Sequence, residues 1–231
     1  MSQEQTMGYD RATVTFSPDG RIFQVEYAKE TIKKGSTIVG VVGKDCVVLG
    51  ALKRKSPLVK SGDKLFKVDN HIGVAATGYL ADARVLIDSA RVKCQQNRMT
   101  YDTPILVQTL SKDIADKKQL YTQHAGVRPY GVALLFGGVN SGPKLFETNP
   151  SGLLLECNAR AAGMDQDKVN KFLESKYKEG MDEKQATDLA TEALRKVLSK
   201  TKNDSGQDQD ENNNEIRIAV INKAGYREFG I

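Results

Sequence analysis

The stretch "GSTIVGVVGKDCVVLGAL" (residues 35–52) decides the fold. It contains two apolar runs rich in Val and Ile, residues 37–42 and 46–52, and only "GKD" separates them. So short a link requires antiparallel pairing, because parallel strands need a crossover of a dozen or more residues. A second pair, "KLFKVD" and "HIGVAAT" (residues 64–77), is joined just as closely. The sequence therefore predicts two β-hairpins and excludes a βαβ dinucleotide fold.

Helical and extended patterns alternate after these hairpins. Two helices are predicted from apolar stripes, formed by Leu80, Ala83, Ile87, Ala90 and Cys94 and then by Val107, Leu110, Ile114 and Tyr121. Strands follow at residues 130–139, 143–149 and 153–161, then a second helix pair, then a last strand at residues 215–222. Near-continuous apolar runs such as "VVLGAL" indicate strands that are buried on both faces. We therefore predict an α+β fold, a four-layer αββα sandwich.

An arm and an extra helix precede this sandwich. In residues 21–34 the apolar positions recur at helical spacing, and "SPDG" just before them is a turn sequence. Gly35 is expected to end the helix as a C′ residue, a position where glycine accommodates left-handed backbone. The predicted boundaries are residues 1–20 for the arm and reverse turn, 21–34 for the helix, and 35–231 for the sandwich.

Composition limits the function classes. The chain has 231 residues and a net charge of +5, and its charges are interspersed, which favours a solvated surface over a nucleic-acid site. The best nucleic-acid candidate, "LKRKSPLVK" (residues 52–60), is interpreted as a surface loop. The three cysteines form no C-x-x-C pair, which favours a reducing compartment. No apolar run approaches membrane-spanning length and the first ten residues lack a signal-peptide core, so we expect a cytoplasmic protein without membrane or nucleic-acid partners.

The acidic segment "DQDENNNE" does not fit a calcium loop. Counted from Asp208, position six should be glycine but is Asn213. Residues 202–214 are polar and of low complexity, so a mobile loop is expected there. We predict no metal site and no cofactor.

Three stretches resemble the proteasome α-type subunits. They are "YDRATVTFSPDGRIFQVEYAKETIKKGST" (residues 9–37), "GYLADARVLIDSARV" (78–92) and "YTQHAGVRPYGVALLFGG" (121–138). The resemblance covers nearly the whole chain outside residues 202–214 and the extreme C-terminus. It implies a seven-membered ring of α-type subunits that caps rings of proteolytic β-type subunits, in the cytoplasm and, in a eukaryote, also in the nucleus. The implied partners are other α-type subunits, β-type subunits, the C-terminal tails of ATPase activators, and unfolded protein substrates.

The resemblance also raises the question of catalysis. "GST" (residues 35–37) lies where β-type subunits are cut to expose a nucleophile, whose own α-amino group then assists as a base. The alignment places Ser36 at the nucleophile position and Lys64 at that of the supporting lysine. It places Leu52 at the carboxylate position and Met164 at that of a supporting serine. Two of the positions that would support the nucleophile are thus apolar. We therefore expect a scaffolding and gating subunit without peptidase activity, with an active amidase as the alternative.

The resemblance assigns roles to six further positions. Tyr9, Asp10, Pro18 and Tyr27 match the set that holds the open gate in the family, and Arg11 is expected to pair with an acid there. Lys64 matches the lysine that receives the carboxylate of an activator tail. From the residues alone, ordinary helix packing for Tyr27, a solvated acid for Asp10 and a salt bridge for Lys64 stay open.

Overall fold

The structure is a computed structural model that describes residues 14–54, 58, 63–198 and 214–231. Of the predicted polar loop at residues 202–214, residues 202–213 lie outside the described residues. So does most of the charged stretch at residues 55–62. Asn214, the last residue of the predicted loop, begins a strand.

Within the described ranges the chain forms five helices and ten strands. The helices are α1 (Phe23–Lys34), α2 (Leu80–Tyr101), α3 (Val107–Tyr121), α4 (Gln166–Lys176) and α5 (Glu183–Leu198). The strands are β1 (Ile38–Val42), β2 (Cys46–Arg54), β3 (Leu65–Asp69), β4 (Ile72–Gly78), β5 (Val132–Val139), β6 (Pro143–Thr148), β7 (Leu154–Cys157), β8 (Ala159–Ala162), β9 (Asn214–Asn222) and β10 (Gly225–Gly230).

The strands form two five-stranded antiparallel sheets. Sheet A has the order β10-β9-β2-β1-β8, and sheet B has the order β3-β4-β5-β6-β7. Both predicted hairpins are present, β1 with β2 in sheet A and β3 with β4 in sheet B. Each short link therefore gave the antiparallel pairing that chain geometry requires.

Three apolar clusters define the layers. One lies between sheet A and the helices α4 and α5, and a second lies between sheet B and the helices α2 and α3. The third lies between the two sheets and includes Ile38, Leu49 and Leu135. Because β1, β4 and β5 are buried on both faces, their sequences are nearly continuously apolar. The predicted αββα sandwich is confirmed.

Helix α1 is added to this sandwich through one apolar face. Val25, Ala28 and Ile32 are buried, and Ile32 belongs to the cluster between the sheets. The helix begins at Phe23 and not at residue 21, because Ile22 has an extended backbone and occupies the N-cap position. The exposed flank of α1 carries polar and aromatic side chains.

The strand predicted at residues 153–161 is in fact two strands in different sheets. Strand β7 pairs with β6 in sheet B, and β8 pairs with β1 in sheet A. The chain crosses between the sheets at Asn158, whose carbonyl oxygen accepts a hydrogen bond from the Val42 N–H at 2.8 Å. An extended pattern alone does not show where the pairing partner changes, so the prediction of one strand was wrong.

The sequence analysis also missed β10. This strand pairs with β9 across a two-residue turn, and Gly225 at its start has a φ of +116°. The Tyr226 hydroxyl donates to a Glu228 carboxylate oxygen at 2.9 Å, and Arg217 of β9 pairs with the other oxygen of the same carboxylate at 2.8 Å. The Arg217–Glu228 pair joins β9 to β10 and helps to hold an edge strand whose sequence is not apolar.

One lysine is fully buried among the apolar side chains beneath α3. The Lys118 ammonium donates to the Val132 and Thr148 carbonyl oxygens at 3.1 and 3.2 Å, and also to the Thr148 hydroxyl. Burial lowers the pKa of Lys118 from 10.5 to about 7, against the opposing fields of Glu147 and Asp82. Position 118 lies between Ile114 and Tyr121 on the predicted apolar stripe. A lysine at such a position is the sequence pattern that indicates a buried cation.

Lys118 should make folding stability depend on pH. Its pKa falls from 10.5 to about 7 on folding, so the folded chain binds fewer protons than the unfolded chain between these values. The free energy of unfolding should therefore increase between about pH 7 and pH 10.5, by about 1.4 kcal/mol per pH unit at most, and should not depend on this group below pH 7. Urea unfolding of wild type and Lys118→Met at several pH values measures this, and the increase should be absent from the variant.

Lys171→Met is the matched control, because it removes the same charge from an exposed position on α4. It should keep the increase of the wild type. An equal pH slope in wild type and Lys118→Met would contradict the pKa assignment.

Candidate functional site

The junction between α1 and β1 consists of Gly35, Ser36 and Thr37, and both sheets hold it. The Ser36 carbonyl oxygen accepts a hydrogen bond from the hydroxyl of Thr77, in β4 of sheet B, at 2.7 Å. The Gly35 carbonyl oxygen accepts one from the backbone N–H of Met164, just after β8 of sheet A, at 2.7 Å. The Thr37 hydroxyl in turn donates to the Met164 carbonyl oxygen. The junction is thus tied to the same end of both sheets.

Two glycines let the junction lie this close to the sheets. A Cβ atom on Gly35 would lie 2.5 Å from the Thr77 hydroxyl oxygen, and a Cβ on Gly163 would lie 2.8 Å from the Ser36 carbonyl oxygen. Gly35 ends α1 as predicted, but with an extended φ of −76° and not with left-handed backbone. Close backbone approach, and not a helix cap, therefore requires glycine at position 35.

Ser36 has little support as a nucleophile. Its hydroxyl is buried and makes no hydrogen bond within the described part of the chain. Its backbone nitrogen could act as a base only after cleavage of the Gly35–Ser36 bond, and the Gly35 carbonyl oxygen of that bond is held by the Met164 N–H. Leu52, at the expected carboxylate position, is buried in the cluster beneath α4 and α5. Met164 joins the hydrogen bonds of the junction through its backbone N–H and carbonyl groups.

Lys64 lies at the start of β3, half-buried. Its carbonyl oxygen accepts a hydrogen bond from the Ala76 N–H at 2.8 Å, which places it beside Thr77 and the junction. Burial lowers the pKa of the Lys64 ammonium. No acidic residue among residues 14–54, 58, 63–198 and 214–231 forms an ion pair with the Lys64 ammonium, so the described residues give no support to the salt-bridge alternative. A half-buried cation without a counter-charge can accept an anionic ligand.

Of the five predicted gating residues, Pro18 and Tyr27 are described, whereas Tyr9, Asp10 and Arg11 lie outside the described residues. Pro18 lies exposed in a reverse turn that Ser17 closes. The Gly20 N–H donates to the Ser17 carbonyl oxygen at 2.8 Å, and the Ser17 N–H donates to the Arg21 carbonyl oxygen at 2.8 Å. Ser17 is buried, and its hydroxyl accepts from the Arg21 N–H. The sequence analysis missed this anchoring role, which serine often takes at the first position of a turn.

Tyr27 lies on the outer flank of α1 and is 46% exposed, which does not fit core packing. Its ring stacks against Phe23, with 6.5 Å between the ring centroids. It also lines an open groove of about 320 Å³ between α1 and the loop before β5, together with Tyr79 and Arg128. The Arg128 guanidinium lies 5.3 Å from the centroid of the Tyr79 ring, within the range of a cation–π contact.

Arg128 is held in place by Asp82, in the first turn of α2. The guanidinium donates two hydrogen bonds to the Asp82 carboxylate, at 2.7 and 2.8 Å. The Gly131 N–H donates to the same carboxylate at 2.9 Å, and Asp82 also raises the pKa of Arg128. Arg128 therefore ties the loop before β5 to the start of α2. Its partner 46 residues away was not predictable from the pattern.

Neither a membrane-spanning helix nor a metal-binding cluster occurs in the part of the chain that the structure describes. No helix there is long and apolar enough to cross a bilayer. No group of three or more His, Cys, Asp or Glu side chains there could hold a metal ion.

Comparison with known proteins gives matches over almost the whole chain. Residues 32–220 match the family model described as "Proteasome subunit", and residues 9–30 match the model of the N-terminal signature of A-type proteasome subunits. The chain is 52% identical to the proteasome alpha subunit of Methanosarcina acetivorans over 228 residues, which cover 97% of this chain and 90% of the relative.

Two other archaea provide similar relatives. The proteasome alpha subunit of Methanothermobacter thermautotrophicus is 51% identical over 84% of this chain and 80% of the relative. That of Thermococcus sibiricus is 48% identical over 93% of this chain and 80% of the relative. With the N-terminal signature, the αββα fold and these identities all in agreement, the chain belongs to the proteasome subunit family, as a member of its alpha type.

Proposed function

We propose that this chain is a non-catalytic subunit of the 20S core particle and forms its outer seven-membered ring. Its N-terminal arm controls the entry of unfolded protein substrates. The ring also templates assembly of the β-type ring and binds ATPase activators. The hydrogen bonds that hold the Gly35–Thr37 junction carry this proposal. A peptide bond whose two flanking carbonyl groups bind opposite sheets favours an anchor over a nucleophile. Helix α1, which the junction anchors, displays its aromatic flank outside the sandwich.

Expression of the chain alone and together with a β-type subunit tests this function. Native mass spectrometry should show a discrete ring for the chain alone, with no peptidase activity. Peptidase activity should appear only in the particle that contains both subunits. A monomer that hydrolyses peptides would contradict the proposal.

A line of exposed apolar side chains on α2 supports contact with another subunit. Val85, Val92 and Met99 are spaced by seven residues, which places them along one side of the helix. All three are exposed, and Met99 is 87% exposed. An apolar line on the outer surface of a sandwich is typical of an interface. We assign this line to the β-type ring, because α1 and the arm supply the surface used for gating.

A charge in the middle of the line should weaken the joining of the two rings. Val92→Asp should lower the yield of complete particles about tenfold, since burying an unpaired carboxylate at an interface costs more than about 1 kcal/mol. Val92→Leu keeps the apolar surface and should assemble as wild type does. Native mass spectrometry of the co-expressed subunits measures both. Normal assembly of Val92→Asp would contradict the assignment of α2 to this interface.

The arm should limit substrate entry. Deleting residues 2–11 should raise peptide hydrolysis by the assembled particle about tenfold, since the minor state of a two-state gate is populated at roughly 10% or less. Deleting residues 203–212 removes ten residues elsewhere and serves as the matched control. An unchanged rate in the arm deletion would refute the gating role.

Lys64 should bind the terminal carboxylate of an activator tail. Lys64→Ala should weaken stimulation by a heptapeptide with the C-terminal sequence of the proteasomal ATPase of the same organism. The loss should be about tenfold or more, because a hydrogen bond to a charged group contributes roughly 1.5–3 kcal/mol. The assay compares the free-acid peptide with its C-terminal amide, which should be inactive on wild type.

Lys67→Ala removes an exposed lysine from β3, the strand that directly follows Lys64, and should respond to the peptide as wild type does. If Lys64→Ala also responds normally, Lys64 does not receive the tail.

A further inference from the structure

We propose that Arg128 binds the Asp19 carboxylate of the neighbouring copy when this chain forms a ring. The inference rests on the ring formation proposed above and names one pair of side chains that joins each copy to the next. Two observations support it: Arg128 has a pair of unused hydrogen-bond donors, and Asp19 is an exposed carboxylate at the tip of a fixed turn.

The Arg128 guanidinium uses three of its five N–H donors within the subunit. Nη1 donates to Asp82 Oδ2 at 2.7 Å and to the Pro129 carbonyl oxygen at 3.0 Å, and Nη2 donates to Asp82 Oδ1 at 2.8 Å. The Nε–H and the second Nη2–H make no hydrogen bond to any residue that the structure describes. These two donors lie side by side along one edge of the guanidinium, here called the outer edge. Two parallel N–H groups match the two oxygens of a carboxylate.

The outer edge is accessible and its position is fixed. The Arg128 side chain is 58% exposed, and it lines the groove of about 320 Å³ beside α1. The paired hydrogen bonds to Asp82 set the plane of the guanidinium, and the centroid of the Tyr79 ring lies 5.3 Å from its central carbon. Donors that are fixed before binding lose little conformational entropy when a ligand arrives. The outer edge is therefore a preformed site for a carboxylate.

Asp19 is a suitable carboxylate for this site. It lies at the tip of the reverse turn before α1, which the Gly20 N–H closes by donating to the Ser17 carbonyl oxygen at 2.8 Å. Asp19 is exposed, and no cation among the described residues forms an ion pair with it. The other two acidic side chains of residues 14–34 already have lysine partners, in the pairs Glu26–Lys29 and Glu30–Lys33. Asp19 is thus the acid of this segment that is available to a second subunit.

The turn and the Arg128 groove lie on opposite flanks of α1. The turn lines a cavity together with Glu26 and Lys29, whereas the Arg128 groove is lined by Tyr27 and Thr31. In a closed ring, neighbouring copies meet head to tail, so a patch on one side of the chain binds a different patch on the other side of its neighbour. The turn and the groove have the relative placement that such a contact needs.

The test measures the concentration of chain at which half of it is assembled in rings, by native mass spectrometry of the full chain expressed alone. Asp19→Asn removes the charge and keeps a residue that suits the turn, so the subunit should fold as wild type does. The half-assembly concentration should rise about tenfold, because every contact between copies loses a hydrogen-bonded charged pair. Asp102→Asn is the matched control, since it removes the same charge from an exposed, left-handed position at the end of α2. It should assemble as wild type does.

Arg128→Lys tests the other side of the contact. Lysine keeps a positive charge beside Asp82, but one ammonium group cannot bind Asp82 and also present a parallel pair of donors on its outer side. The half-assembly concentration should again rise about tenfold. When Arg128→Lys is combined with Asp19→Asn, the second substitution should add little to the first, because both remove the same contact.

Three results would overturn this contact while ring formation itself stands. The first is a wild-type half-assembly concentration in Asp19→Asn, and the second is an additive effect of the two substitutions. The third is normal assembly of both variants with a lost response to the activator heptapeptide, which would assign the outer edge to the activator tail. If the wild-type chain forms no ring, ring formation fails as the proposed function and the contact fails with it.

Discussion

The structure depends on how the backbone between Gly35 and Thr37 is held. One carbonyl oxygen of this segment binds sheet A through Met164, and the next binds sheet B through Thr77. These contacts fix the point where α1 enters the sandwich, and they need glycine at positions 35 and 163 because any Cβ atom there would collide with them. Two hydrogen bonds at one end therefore set both the alignment of the sheets at that end and the direction of the added helix.

The same constraint supports the non-catalytic role that we propose. A nucleophile at position 36 would need an amine freed by cleavage after Gly35 and a nearby carboxylate, but position 52 is an apolar core residue. Ser36 keeps a buried hydroxyl without a described partner. The junction holds the end of a helix whose outer flank carries Tyr27, next to a groove bounded by Tyr79 and Arg128. The fold has the layers of an N-terminal nucleophile hydrolase, and we propose that the segment that would form the active terminus is here a structural join.

Much of the fold followed from the sequence, because short links and apolar periodicity are local signals. They predicted both hairpins, all five described helices and the four layers. Two features were not predicted, the change of sheet at Asn158 and the pairing of Asp82 with Arg128. Both depend on contacts between segments that are distant in the sequence. Strand β10 was not predicted because its side chains are mostly polar and its contact with β9 includes an ion pair, Arg217 with Glu228. Lys118 was visible as a charge within an apolar stripe, but its acceptors come from β5 and β6. The sequence identified Pro18, Tyr27 and Lys64 as candidate site residues. Their proposed roles involve contacts with other subunits, and a pattern within one chain does not specify such contacts.

The intact mass of this chain, isolated from active particles treated with an acylating probe for N-terminal threonine or serine nucleophiles, tests the central claim most directly. The account predicts a chain that is continuous through Gly35–Ser36 and carries no adduct, while the β-type subunit is labelled. A chain that begins at Ser36 and carries the probe would contradict it.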